Sequence, residues 1–299
     1  MNNKKGLLMV LAGYTVWGVL PLYWHMLSGI NAIVILCCRI VMSALCATLL
    51  LLATGRLKEL WAVMRSKQLM KFLIPAALSV TVNWGIYIWA VGVGHVTDAS
   101  LGYYMNPLVV SLFGTLIFKE RCGRMELIAL ALAAVGVLLT TLQYGAFPYI
   151  AITLAVTFAI YGMFKKFAHV DGTVSIAVET VILSPFALLF LLLAPQSHAS
   201  FAAATPLQFV LLLFAGIVTA APLIMYTQGV NGLPFITMGF LQYVSPTLML
   251  ILGVIVMGEP FHVAQAVSFA FIWAGLILFS VGMIRREKRQ ALEVAAEQG

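Results

Sequence analysis

Two ionisable side chains stand alone inside long apolar runs: Arg39 in ILCCRIVMSALC and Glu179 in SIAVETVILSP. Each costs roughly 2.5–3.5 kcal/mol to place at the centre of a bilayer, so such a charge must find a partner or serve one. A guanidinium keeps its charge at physiological pH, which makes Arg39 a fixed positive group, suited to orient an acidic or electron-rich substrate group or a helix-end carbonyl. Glu179 is the candidate to bind and release a proton or to face a cation. The two occupy equivalent places in the two halves of the chain apart from a one-residue gap. They sit about two turns from opposite faces of the membrane, so a direct ion pair between them requires bent helices or long reaches.

A second set of polar groups gathers beside two prolines. Tyr103 and Asn106 are three residues apart, and so share a helix face, next to Pro107; Gln242, Ser245 and Pro246 repeat the arrangement. Each proline removes one backbone hydrogen bond and kinks its helix. The neighbouring polar groups either line a cavity or repair the kink by bonding locally and across helices. Ser79, Asn83 and Tyr87 form a stripe at i, i+4 and i+8, and Tyr226 stands in register with Tyr87. Such a stripe faces the protein interior, either as a wall for small amphiphilic molecules or as glue between helices. Trp17, Trp84, Trp89 and Tyr161 add aromatic surface, which belts at the headgroup level explain equally well.

The elements that hold these groups follow from composition. Of 299 residues, 63% are apolar and 9% are Asp, Glu, Lys or Arg, and the mean hydropathy is +1.05. A soluble domain carries about a quarter charged residues, so the chain is read as a membrane protein whose neighbour is the lipid bilayer. The net charge of +7 is spread over the flanks of apolar runs and does not gather on one element, which argues against nucleic acid. Cys37, Cys38, Cys46 and Cys122 have no zinc-like spacing and are read as packing residues.

About 20 apolar residues cross a bilayer core. The runs divide into ten spans: 6–26, 32–53, 70–92, 99–118, 123–141, 147–165, 173–193, 206–228, 234–256 and 263–284. Lys4 and Lys5 ahead of the first run imitate a secretory signal, but no cleavage site follows, and the run is read as the first span. With the N-terminus inside, 16 of the 17 Lys and Arg fall on cytoplasmic segments, Lys165 and Lys166 among them; the exception is Arg39. That asymmetry sets an orientation with both termini in the cytoplasm.

The chain also repeats itself. YMNPLVVSLFGTLIFKE at 104–120 and YVSPTLMLILGVIVMGE at 243–259 match at Tyr104/Tyr243, Pro107/Pro246, Gly114/Gly253 and Glu120/Glu259. The common offset carries span 4 onto span 9 and span 5 onto span 10. Because five is odd, the second copy is upside down. The expected fold is therefore an all-α membrane protein with ten transmembrane helices as two inverted five-helix repeats, N-in/C-in. Its domains are 1–143, 144–286 and a cytoplasmic tail at 287–299. Inverted halves can expose a site between them first to one side and then to the other. The halves are expected to superpose about an axis in the membrane plane, with a cavity flanked by spans 3, 4, 8 and 9.

The stretch NWGIYIWAVGVGHVTDASLGYYMNPLVVSLFGTLIFKER (83–121), with FLQYVSPTLMLILGVIVMGEP (240–260), resembles the RarD branch of the drug/metabolite transporter superfamily, whose repeat unit is the EamA domain. The resemblance covers nearly the whole chain. It implies a bacterial inner-membrane permease of ten helices with a central cavity, in a branch associated with chloramphenicol.

The rival classes leave weaker marks. No G-x-x-x-x-G-K-[ST] loop is present, which favours secondary transport or facilitated diffusion over an ATP-driven pump. An enzyme needs a clustered nucleophile, metal site or acid/base pair. The five histidines are scattered, no H-E-x-x-H occurs, and Asp98 reads as a helix N-terminal residue. No charged ring suggests a channel. The expectation is a permease exporting small amphiphilic metabolites or drugs, without catalytic residues, metal or cofactor and with possible proton coupling; the alternatives are a membrane-embedded enzyme and a non-transporting helical scaffold. The sequence leaves the oligomeric state open. The substrate site is assigned to Asn83, Tyr87, Tyr103, Asn106, Tyr226, Gln242 and Ser245, the intramembrane charge and coupling roles to Arg39 and Glu179, and the kinks to Pro107 and Pro246.

Overall fold

Residues 3–27, 29–92, 96–120, 123–144, 149–255, 266–267, 270–275, 277–282 and 285 are described by the computed structural model. Glu259, Cys122, the start of the expected tenth span and the tail at 287–299 lie outside the described residues, as does the side chain of Asp98.

Among the described residues the regular structure is helical throughout. The chain runs as α1 (Asn3–His25), α2 (Ala32–Ala53), α3 (Leu57–Arg65), α4 (Lys67–Gly92), α5 (Val96–Leu116), α6 (Arg124–Tyr144), α7 (Tyr149–Ala168), α8 (Gly172–Leu193), α9 (Pro195–Ala203), α10 (Pro206–Gly232), α11 (Phe235–Leu241) and α12 (Val244–Ile255). Further helical turns occupy 270–275 and 277–282. Among the described residues seven helical stretches are long and apolar enough to cross a membrane, the last of them Phe235–Leu252, which runs across α11 and α12.

Several starts are written into the sequence. Asn31 accepts a hydrogen bond from the Ile33 amide at the head of α2, and Asp171 accepts from Thr173 and Val174 at the head of α8. Thr205 and Gln208 close a reciprocal capping box around α10, with Pro206 in the first turn. These bonds satisfy amide groups that an isolated helix leaves without partners.

The structure departs from the expected spans in three places. The two loops that join spans 2 to 3 and 7 to 8 carry the short helices α3 and α9. The α3 turn tucks in Leu60 and Val63 while Trp61 stays exposed, and Ser200 of α9 accepts from the Asn31 amide. The expected ninth span is broken at Gln242–Tyr243, between α11 and α12. Pro246 has no amide hydrogen for the Gln242 carbonyl, which instead accepts from Ser245 at 3.1 Å. Pro107, its counterpart in position, lies inside the unbroken α5.

Helices of the first half pack largely on helices of the second. Thus α2 lies on α8 and α10, α4 and α5 on α7, α1 on α10 and α12, and α5 on α11. The approach of α10 is very close, because Gly216 lies against the backbone of Met42 and Gly13 of α1 against the Pro222 carbonyl. The outward faces are apolar, with Leu8, Leu50, Phe186, Leu189, Leu192 and Leu213 exposed. A surface of this kind suits hydrocarbon and not water.

Candidate substrate cavity and the buried charges

Arg39 is 8% exposed, and its guanidinium lies between two indoles. Its Cζ is 4.4 Å from the ring centre of Trp24, at the end of α1, and 4.6 Å from that of Trp84, on α4. Nε donates to Thr219 Oγ1 of α10 at 3.0 Å. No carboxylate among the described residues pairs with it. Cation–π contacts stabilise a desolvated guanidinium while leaving its edge free to donate.

Arg39, Trp24 and Trp84 are part of the wall of a cavity of about 80 Å³. Tyr14, Trp17 and Pro21 of α1, Asn83 and Tyr87 of α4, Tyr103 of α5 and Phe158 of α7 contribute on one side. Gln242, Ser245, Pro246 and Met249, at and after the helix break, contribute on the other. The broken ninth span thus brings both Gln242 and Ser245 to the wall. Tyr87 and Tyr103 meet edge to face at 5.5 Å. Asn83 donates through Nδ2 to the Leu154 carbonyl at 2.7 Å and to Thr157 Oγ1 at 2.9 Å, so it lines the cavity and also ties α4 to α7. Gln242 is 5% exposed and its Oε1 has no hydrogen-bond partner. Pro246 accepts from the Tyr104 hydroxyl at 2.9 Å, a direct bond between the two repeated motifs.

The flanking expected from spans 3, 4, 8 and 9 therefore needs correcting. Spans 1, 2 and 6 also contribute lining, whereas α10, the eighth, contributes none, because its glycine-mediated contacts hold it tightly on α1 and α2. Tyr226 of α10 is buried one layer behind the wall, with ring centres 6.1 Å from Tyr14, 5.7 Å from Trp17 and 5.4 Å from Phe158. Asn106 is buried on α5 and is not among the lining residues; its Oδ1 lacks a partner. Pro107 lies at the α5–α11 contact, where its carbonyl faces Gly239. Trp17 and Trp84, which the sequence left unassigned between cavity and headgroup belt, line the cavity.

Glu179 lies elsewhere, on α8, 2% exposed. Its Oε1 accepts from Lys165 Nζ of α7 at 2.6 Å and from Ser175 Oγ at 3.0 Å, and Lys165 also donates to Ser175. The Tyr161 hydroxyl is 3.5 Å from Oε2. Lys165, counted by sequence among the basic residues of cytoplasmic segments, is 1% exposed. Its neighbour Lys166 binds Glu120 at 2.7 Å, and the two oxygens of that carboxylate also accept the Phe235 and Ile236 amides at the head of α11. By sequence both lysines carry an orientation signal only. The missed signal is spacing: Tyr161/Lys165 and Ser175/Glu179 are i, i+4 pairs flanking one tight turn, so the hairpin lays the two stripes together.

Cys37 and Cys38 are buried and unpaired, and among the described residues no three His, Cys, Asp or Glu side chains gather as a metal site.

The EamA-like transporter family matches residues 4–142 and again 148–281. The chain belongs to this family, in the RarD branch of the drug/metabolite transporter superfamily. It is 38% identical over 287 residues to an uncharacterized transporter, YojE, of Bacillus subtilis, covering 95% of this chain and 96% of that one. It is 36% identical over 289 residues to the protein RarD of Escherichia coli, covering 96% and 98%. A Pseudomonas aeruginosa relative named chloramphenicol-sensitive protein RarD is 28% identical, with 97% and 99% covered. A solved crystal structure superposes with a TM-score of 0.68 at 20% identity, covering 91% of this chain and 96% of that one, and so shares the fold. This EamA protein is a multi-pass membrane protein of a transporter family.

Proposed function

We propose that this EamA protein is a secondary permease that exports small amphiphilic metabolites or drugs across the bacterial inner membrane by alternating access of two inverted halves, 1–143 and 144–286. The observation that carries this reading is the cavity, whose wall joins Tyr87 and Tyr103 of the first half to Gln242 and Ser245 of the second. The two separate family matches and the Tyr104–Pro246 bond support a repeat unit used twice. Two inverted five-helix halves correspond to ten helices with both termini in the cytoplasm, and inverted repeats of this kind allow alternating access. Relatives named as transporters favour this reading over an enzyme or a passive scaffold. The name of the Pseudomonas relative makes chloramphenicol a reasonable first compound to test.

At about 80 Å³ the cavity holds two or three waters, whereas ligand pockets run from about 300 Å³ upwards. Substrate entry therefore requires the walls to part, as alternating access does. In this reading Asn106 and Tyr226 reach the substrate only in the opened arrangement. Glu179 exchanges a proton together with Lys165, and the Tyr161–Tyr226 ring contact at 6.0 Å links that pair to the aromatic layer behind the cavity.

The test is counterflow of chloramphenicol and a panel of amphiphiles in proteoliposomes, with and without a proton gradient. Trans-stimulated exchange is expected, and Glu179→Gln is expected to lose gradient-driven uptake while keeping counterflow. Folded protein that exchanges no compound overturns the transporter reading; equal, unimpaired rates for Glu179→Gln in both assays overturn the coupling role.

A further inference from the structure

Taking the cavity as the transport site, we infer that its substrate is an organic monoanion: a carboxylate on an aromatic body that also carries one hydrogen-bond donor. The wall contains one formal charge, that of Arg39, and no carboxylate among the described residues offsets it. Among the described residues its one protein hydrogen bond uses Nε, towards Thr219, so both terminal nitrogens are left to donate. A guanidinium that presents two parallel N–H groups matches the two oxygens of a carboxylate. Trp24 and Trp84 cover its faces, so an anion approaches at the edge.

A single negative charge makes the loaded cavity neutral, whereas a cation repels Arg39 and a neutral solute leaves its charge desolvated. This is a physical ground for preferring anions within the amphiphile class. The second feature is independent of the charge. Gln242 Oε1, buried at the wall and lacking a partner, asks for a donor such as a hydroxyl. Between these points the wall is aromatic, with Tyr14, Trp17, Tyr87, Tyr103 and Phe158. Rings of this kind fit a flat apolar body.

The probes are a matched set: 4-hydroxyphenylacetate, 4-hydroxyphenylacetamide and tyramine, which share a phenol and carry a negative, neutral or positive tail. Binding to the purified full chain in nanodiscs is followed by tryptophan fluorescence and by thermal shift. The acid is expected to bind at least about tenfold more tightly than the amide, a difference of about 1.4 kcal/mol, with tyramine weakest. Phenylacetate, which lacks the hydroxyl, is expected to bind several-fold more weakly than 4-hydroxyphenylacetate. Arg39→Gln should bring acid and amide together, while Arg39→Lys keeps part of the preference.

The comparison in the wild type needs no variant to fold. Equal binding of acid and amide, or no saturable binding of the acid by protein that exchanges any member of the amphiphile panel, overturns the inference and leaves the transporter reading standing. Displacement of the acid by chloride at equal concentration overturns it as well, since the site then takes any small anion. Loss of all exchange, by contrast, counts against the transporter reading itself.

Discussion

Around Glu179 the protein supplies the counter-charge, whereas around Arg39 the described residues supply none. The carboxylate is held by Lys165 and Ser175 within the α7–α8 hairpin, one turn from either side of the same loop. The guanidinium lies at the meeting of α1, α2, α4 and α10, with aromatic faces and one hydroxyl. A closed ion pair can hold a scaffold with nothing added. An uncompensated charge in a cavity wall is a cost that the fold retains, and a ligand of opposite sign can offset it.

The largest effect should come from opening the closed pair. Lys165→Met leaves Glu179 buried without its cation and is expected to cost about 3–5 kcal/mol, read as a fall in melting temperature in detergent. The double replacement Lys165→Met with Glu179→Leu should recover most of that loss while abolishing gradient-driven transport. If Arg39→Met destabilises as much as Lys165→Met, the contrast between the two places is broken.

A smaller effect should follow from moving the support behind Arg39. A Cβ on Gly216 would collide with the Met42 carbonyl, and backbone on both sides leaves little room to adjust. Gly216→Ala is expected to cost about 1–3 kcal/mol through overpacking. By separating α2 from α10 it also draws Thr219 away from Arg39, so tight ligand binding should weaken beyond the stability loss. Unchanged binding would show that Thr219 does not set the guanidinium's position.

The smallest effect belongs to a charge on the watered end of the same helix that carries Glu179. Burial alone would raise the Asp171 carboxyl. The Gln228 side chain, the Val174 amide, the Arg56 guanidinium and the Thr173 amide outweigh it and hold the group below the usual carboxylate range. A depressed carboxyl contributes stability above its unfolded pKa, about 3.9, and loses it as the pH falls through the folded value. Melting curves from pH 6 to pH 3 should therefore fall less steeply for Asp171→Asn than for the parent. At neutral pH the substitution should cost less than about 1 kcal/mol, since Asn also caps helices and exposed ion pairs contribute little. A loss as large as that of Lys165→Met would mean that water does not screen this end of α8.

Much of this arrangement is legible residue by residue. The apolar runs place α1, α2, α4, α7, α8 and α10 to within a few residues, because backbone groups in lipid must close their hydrogen bonds within a helix. Arg39 and Glu179 stand out because nothing near them in sequence is charged. Gln242, Ser245 and Pro246 stand out as a repeated polar cluster beside a proline. The break between α11 and α12 is harder to see: Pro107 and Pro246 sit in similar sequence, yet only the second interrupts its helix, where α11 packs on α5 and α12 on α1. The burial of Lys165 is hidden for a related reason: charge counting gives a lysine near a helix end only a side of the membrane, and the packing of α7 on α8 turns its side chain inward.

By itself, then, the sequence determined the membrane class, most of the long apolar helices, the repeated motif and the two anomalous charges, since each depends on local transfer energies and on spacing along one helix. Tertiary structure alone decided which of those charges is neutralised, that Tyr226 stands behind the wall and Asn106 outside the lining while Trp17 and Trp84 form it, and that α10 contributes no lining. Those outcomes depend on which helix faces meet, and close contacts such as Gly216 against Met42 are made between residues far apart in the chain.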